Sequence, residues 1–159
     1  MKALFLLIFF HLSVNGMAQK PVDKIPPFRM VLSNGSFFSA ENLQKNKPLV
    51  LIYFAPDCDH CKMLMKDFFR RVTDFSKAQV VMITYRELKE VTQFIKEYGV
   101  ANYPNITVGT EVPTYFMRYH YNLTNTPFTA LFDKKGEMVC SYRQVTAVEG
   151  LVEHLKKIK

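Results

Sequence analysis

The feature that most constrains this chain is a change of period within one short stretch. Pro48-Leu49-Val50-Leu51-Ile52-Tyr53-Phe54 is apolar, rich in β-branched and aromatic residues, and shows no polar alternation. Such a run suits a strand buried on both faces, as in the middle of a parallel sheet. Ala55-Pro56-Asp57 stops it. From Cys58 onward the apolar positions fall at three- and four-residue steps: Cys61, Leu64, Met65, Phe68, Phe69, Val72 and Phe75. Lys62, Lys66, Asp67, Arg70, Arg71 and Asp74 lie between them, so the segment reads as a helix with one apolar face. Two cysteines therefore stand where a buried strand gives way to an amphipathic helix.

The remaining pattern places this unit in an α/β fold. Phe28 to Leu32, the Asn34-Gly35 turn and Ser36-Phe37-Phe38 predict an N-terminal β-hairpin. Ser39 to Leu43 reads as a short helical turn. Val80 to Thr84 is a second buried strand, and Glu87 to Tyr98 a helix with Val91, Phe94 and Ile95 inward and Gly99 ending it. Between Asn102 and Asn125 the signal is weaker: Ile106-Thr107-Val108 suits a short strand and Pro113 to Tyr121 a helix. Phe128 to Phe132, the turn Asp133-Lys134-Lys135-Gly136 and Glu137 to Tyr142 form an antiparallel return. Thr146 to Ile158 closes the chain as a helix with Val148, Leu151, Val152 and Leu155 inward. Strands alternating with helices imply βαβ crossovers. The expected architecture is a central mixed sheet flanked by helices.

Cys58-Asp59-His60-Cys61 has a spacing shared by structural zinc sites, stapling disulfides and redox pairs. Position favours redox chemistry. A helix N-terminus aims backbone N–H groups and a partial positive charge at Cys58, favouring the thiolate that attacks disulfides. Cys61, one turn in, is placed to resolve the resulting mixed disulfide. Asp59 and His60 tune the pair in opposite directions: a protonated His60 favours the thiolate, whereas Asp59, together with Asp57, opposes it. A bridge closing so short a loop constrains little chain entropy, which counts against a purely stabilising role. A metal site would need further ligands. Cys140 is the only other cysteine, and in Met138-Val139-Cys140 it reads as a buried, inert thiol.

The chain of 159 residues carries a net charge of +7, with its basic residues scattered except at the C-terminus. No basic stripe interleaved with aromatics is visible, so nucleic-acid binding is not expected. Lys2, the apolar run Ala3 to Phe10 and Gly16-Met17-Ala18 follow the order of a secretory signal peptide. The run falls short of the roughly 18 apolar residues a membrane span needs. The expected organisation is a signal peptide over 1–18, an extended leader over 19–27 and one domain over 28–159.

Leu51 to Cys61, and downstream Thr126-Pro127-Phe128-Thr129-Ala130-Leu131-Phe132-Asp133-Lys134-Lys135-Gly136, resemble the thioredoxin superfamily, and within it the exported TlpA-like thiol–disulfide oxidoreductases of bacteria. The resemblance runs from about Phe28 to the C-terminus and includes a central strand–helix insertion around residues 80–108. It implies a periplasmic, monomeric enzyme without a cofactor. It implies protein thiols and disulfides as substrates, and a membrane or exported protein as electron donor. It makes Pro127 the cis-proline beside the cysteines, ahead of its rival Pro113, and Thr126 the residue whose backbone meets the substrate. Two departures stand out. Many thioredoxins carry a buried Asp six residues before the first cysteine and several TlpA-like reductases a Glu six after it, where this chain has Ile52 and Leu64. The proton acceptor is thus unassigned. Alternatives are a redox-inert assembly module and a thiol peroxidase, whose activating Thr is replaced by Ala55.

Overall fold

The computed structural model describes residues 23–144 and 148–158. The predicted signal peptide, residues 19–22 of the leader, and 145–147 lie outside the described residues. Among the described residues, four α-helices and seven strands follow in the order β1 (Arg29–Leu32), β2 (Phe37–Ser39), β3 (Leu49–Phe54), α1 (Asp59–Arg70), β4 (Gln79–Thr84), α2 (Leu88–Glu97), β5 (Ile106–Thr110), α3 (Phe116–His120), β6 (Phe128–Phe132), β7 (Met138–Arg143) and α4 (Val148–Lys157).

The strands form one mixed sheet in the order β2-β1-β5-β4-β3-β6-β7. β3 lies near its middle, parallel to β4 from Leu49↔Gln79 to Phe54↔Thr84 and antiparallel to β6 from Leu49↔Phe132 to Tyr53↔Phe128. All six β3 residues are buried. Alternate side chains of a strand point to opposite faces, and both faces are covered here. Val50, Ile52 and Phe54 join Cys61, Leu64, Phe68, Val91 and Leu151 in one core under α1, α2 and α4. Leu49, Leu51 and Tyr53 join Phe28, Met30, Met117 and Phe128 in the other. That double coverage is why the β3 sequence lacks polar alternation.

The predicted hairpin is β1–β2, paired Val31↔Phe37, with Gly35 at φ +82° supplying the turn. β1 packs onto β5 so closely that a Cβ on Gly109 would sit 2.8 Å from Met30 Sδ and from the Val31 carbonyl oxygen. The described part of the leader is held as well: Ile25 N–H donates to Gly136 O at 3.1 Å and Met138 N–H to Asp23 O at 2.8 Å.

Several elements differ from expectation. The helix begun at Asp59 ends at Arg70, and Val72–Phe75 is a separate 3-10 turn. Val72 and Phe75 remain inward because a three-residue period serves both forms. β5 continues to Thr110, since Gly109 and Thr110 pair with Leu32 and Val31 on one side and with Ile83 and Thr84 on the other. The helix expected over Pro113–Tyr121 is confined to Phe116–His120. Thr114 N–H closes a turn on Glu111 O at 2.7 Å, and Tyr115 has φ +49°, so no helix can begin at Pro113. β7 is the sheet edge and alternates half-buried with exposed residues, leaving Cys140 half-buried rather than in the core.

Candidate active site

β3 ends at Phe54, and the turn Ala55-Pro56-Asp57 carries the chain into α1. Cys58 is the N-cap residue, with an extended backbone at φ −85° and ψ 126°. Its carbonyl accepts the first helical bond, from Lys62 N–H at 2.9 Å. The start of a twelve-residue helix thus points its free N–H groups at the Cys58 sulfur. Cys58 is half-buried and Cys61, one turn along, is 1% exposed, and both are free thiols. Cys61 Sγ accepts the Ala55 N–H at 3.5 Å.

The two thiols have opposite electrostatics. Burial works against ionisation at Cys58, but the N–H of Cys61, the Cys61 thiol, the Thr126 side chain and the N–H of His60 outweigh it. Its pKa is held below the ordinary thiol value. Burial dominates at Cys61 and, with the neighbouring Cys58, pushes its thiol up to about 12 against bonds from Thr126 and Ala55 N–H. The half-exposed sulfur is therefore the one ready to ionise.

Thr126 closes the site from the far side. Cys58 Sγ donates to its carbonyl oxygen at 3.6 Å. The Thr126–Pro127 bond is cis, and so is Val112–Pro113, so the two candidate prolines share the geometry while Thr126–Pro127 is the one at the thiols. Asp59 and His60 are exposed on the outer side of α1. Asp59, its side chain 92% exposed, pairs with Lys62 at 3.5 Å. His60 reaches Cys58 through its backbone N–H. Asp57 is chelated by the Arg86 guanidinium, which holds its carboxyl below the usual range.

Three features went unread in the sequence. One is the Asp57–Arg86 pair, which joins the β3–α1 turn to the segment after β4. The second is Glu111, 2% exposed, whose carboxylate accepts Tyr53 OH at 2.7 Å and Met117 N–H at 2.8 Å. A buried acid of this kind fixes the start of α3 to the sheet. The third is a cleft beside Thr126, floored by Tyr53 and Tyr85 and rimmed by Arg118, Leu123 and Asn125. Glu111 follows β5, on the far side of β4 from β3, and its Tyr53 partner belongs to the core opposite Cys61. Among the described residues no three His, Cys, Asp or Glu side chains converge as a metal site needs.

Fold and site together define a class, the thioredoxin-like α/β proteins with a Cys-x-x-Cys pair opening the first long helix. The chain matches the AhpC/TSA family over residues 21–154 and belongs to that family. Among solved structures it is similar to a thiol:disulfide interchange protein of the thioredoxin family from Chlorobium tepidum, with TM-score 0.71 and 20% identity, covering 89% of this chain and 99% of that one. It is also similar to a secreted Mycobacterium tuberculosis disulfide oxidoreductase homologous to E. coli DsbE, with TM-score 0.67 and 17% identity over 82% of this chain and 95% of that one. At such identities the likeness is one of fold. A protein disulfide isomerase-like 2-1 from Oryza sativa is 37% identical over 71 residues, which is 45% of this chain and 19% of that protein. The chain spans about a fifth of the length of the curated relatives it matches.

Proposed function

We propose that this chain is an exported thiol–disulfide oxidoreductase of the TlpA-like kind, exchanging disulfides with protein substrates through Cys58 and Cys61 and working as a reductase. One observation carries the reading: an ionisable Cys58 at a helix N-terminus lies 3.6 Å from the Thr126 carbonyl, with a buried partner thiol one turn away. In that arrangement the Cys58 thiolate attacks one sulfur of a substrate disulfide. A mixed disulfide forms, and the other substrate sulfur leaves as a thiolate. Cys61, once deprotonated, attacks Cys58, the substrate leaves reduced, and the pair is left as a disulfide. An exported or membrane-bound donor protein then returns two electrons. Thr126 offers its backbone to an extended substrate segment beside Pro127, while Asp59 and His60 set the local field. Residues 1–18 serve as the export signal and 28–159 as the working domain, with a periplasmic site of action.

The test is the reduction potential of the pair in a Cys140→Ser background. A value near about −270 mV supports the reductase, and one near about −120 mV makes the protein an oxidant. No reversible two-electron transition would leave a rigid assembly module in its place. Rapid peroxide consumption with a thiol reductant would shift the reading to a peroxidase.

A further inference from the structure

Exchange through this pair needs a destination for one proton. Cys61 is buried, and its thiol must lose that proton before it attacks Cys58. Directly around it the sequence supplies Ile52 and Leu64, neither of which can take a proton, and both lie in the same core as Cys61.

A narrow pocket opens beside Cys61 on the α2 side. Phe54, Ala55 and Pro56 form one wall, and the others include Cys61 and Lys62 of α1 and Glu97 and Tyr98 at the end of α2. Its volume of about 20 Å³ accommodates one water. Buried Cys61 and exposed Glu97 both line it, so a water there has a thiol and a carboxylate among its walls. We infer that Glu97 accepts the Cys61 proton through a single water held in this pocket, supplying from α2 the acid that β3 and α1 lack.

The other ionisable groups around the pair do not fit the role. On α1, Lys62 shares the pocket, but an ammonium only donates, and it leans on Asp59 at 3.5 Å. Asp59 and His60 face solvent on the outer side of the helix, and Cys58 is the electrophile in this step. In the β3–α1 turn, Asp57 is held by Arg86. On α2, burial and the charge of Glu97 raise the Tyr98 phenol, which stays protonated, and Lys96 is exposed. Glu97 is the one carboxylate lining the pocket, and among the described residues it makes no ion pair.

The step balances. The Cys61 proton passes to the water, which gives a proton to Glu97. Cys61 sulfur bonds to Cys58 as the Cys58–substrate bond breaks, and the substrate sulfur leaves with the electron pair. Glu97, being exposed, returns its proton to solvent.

This inference rests on the exchange chemistry proposed above, and a two-stage release assay separates the two. Reduced full-length protein carrying Cys140→Ser is mixed with a chromogenic aryl disulfide. Attack by Cys58 releases one aryl thiol, and attack by Cys61 releases the second. Glu97→Gln should leave the first release unchanged and slow the second about a hundredfold below pH 8, with the gap closing as hydroxide takes over at higher pH. Glu97→Asp, which keeps an acid on the pocket wall, should recover part of the rate. A second release unchanged in Glu97→Gln, or slowed equally in Glu97→Asp, overturns the inference. Failure of either release in the parent protein overturns the exchange reading itself.

Discussion

The two walls of the site are built in different ways. The wall from β3 into α1 is made by one continuous segment, Leu49–Arg70, whose strand and helix periods place Cys58 at the junction. The opposite wall, from Glu111 to Pro127, has only one short helix and includes positive-φ residues at Tyr115 and Asn122 and two cis bonds. It is held by a buried carboxylate that joins Tyr53 on β3 to the start of α3. Local pattern makes the first wall, and a long-range polar contact anchors the second. Damage should therefore spread differently from each.

The largest effect comes from the first wall. Cys58→Ser should abolish disulfide exchange at any pH, while Cys61→Ser should leave Cys58 attack intact and accumulate the mixed disulfide, read by mass spectrometry of the trapped adduct. A Cys61→Ser protein that still turns over would remove the resolving role.

Next is the pH contrast between the two thiols. At pH 8 a thiol with pKa about 12 is ionised in only about one molecule in ten thousand, whereas Cys58, held below its ordinary value, is the more ionised of the two. Iodoacetamide should label Cys58 preferentially, and the rate should rise with pH and level off once Cys58 is ionised, below the pH usual for a thiol. Equal labelling of both cysteines at pH 8 would contradict the geometry described.

The second wall gives a stability effect. Glu111→Ala leaves Tyr53 OH and Met117 N–H without their partner and should cost about 1–3 kcal/mol, measured by urea unfolding. Glu111→Gln sharpens the point. Burial raises the Glu111 carboxyl above its ordinary value, so the fold favours the protonated form. That contribution is present below the ordinary carboxylate pKa and is lost as pH rises through the raised folded value. The wild type should thus lose stability relative to Glu111→Gln across that window. A pH-independent difference would show that desolvation does not dominate there.

The smallest effect is expected at the exposed pairs. Arg86→Gln frees Asp57 beside Cys58 and should raise the Cys58 pKa slightly, seen in the same alkylation profile, with at most about 1 kcal/mol of stability lost. Asp59→Asn should change less, because its side chain already stands in water.

The sequence by itself determined the strand–helix junction and its cysteine pair, the hairpin at Asn34-Gly35 and the βαβ order, because each depends on periodicity or turn chemistry within a few neighbouring residues. Tertiary structure alone decided the rest. Thr126 meets Cys58 across 68 residues of chain, Tyr53 meets Glu111 across 58, and Arg86 reaches Asp57 across 29. Cys140 lies half-buried because β7 is an edge strand, which an apolar stretch does not reveal. Glu97 reads in sequence as one more polar residue on the outer face of a helix. Only the packing of α2 beside α1 makes it line the same pocket as Cys61, because such proximity is set by packing between elements and not by spacing within one.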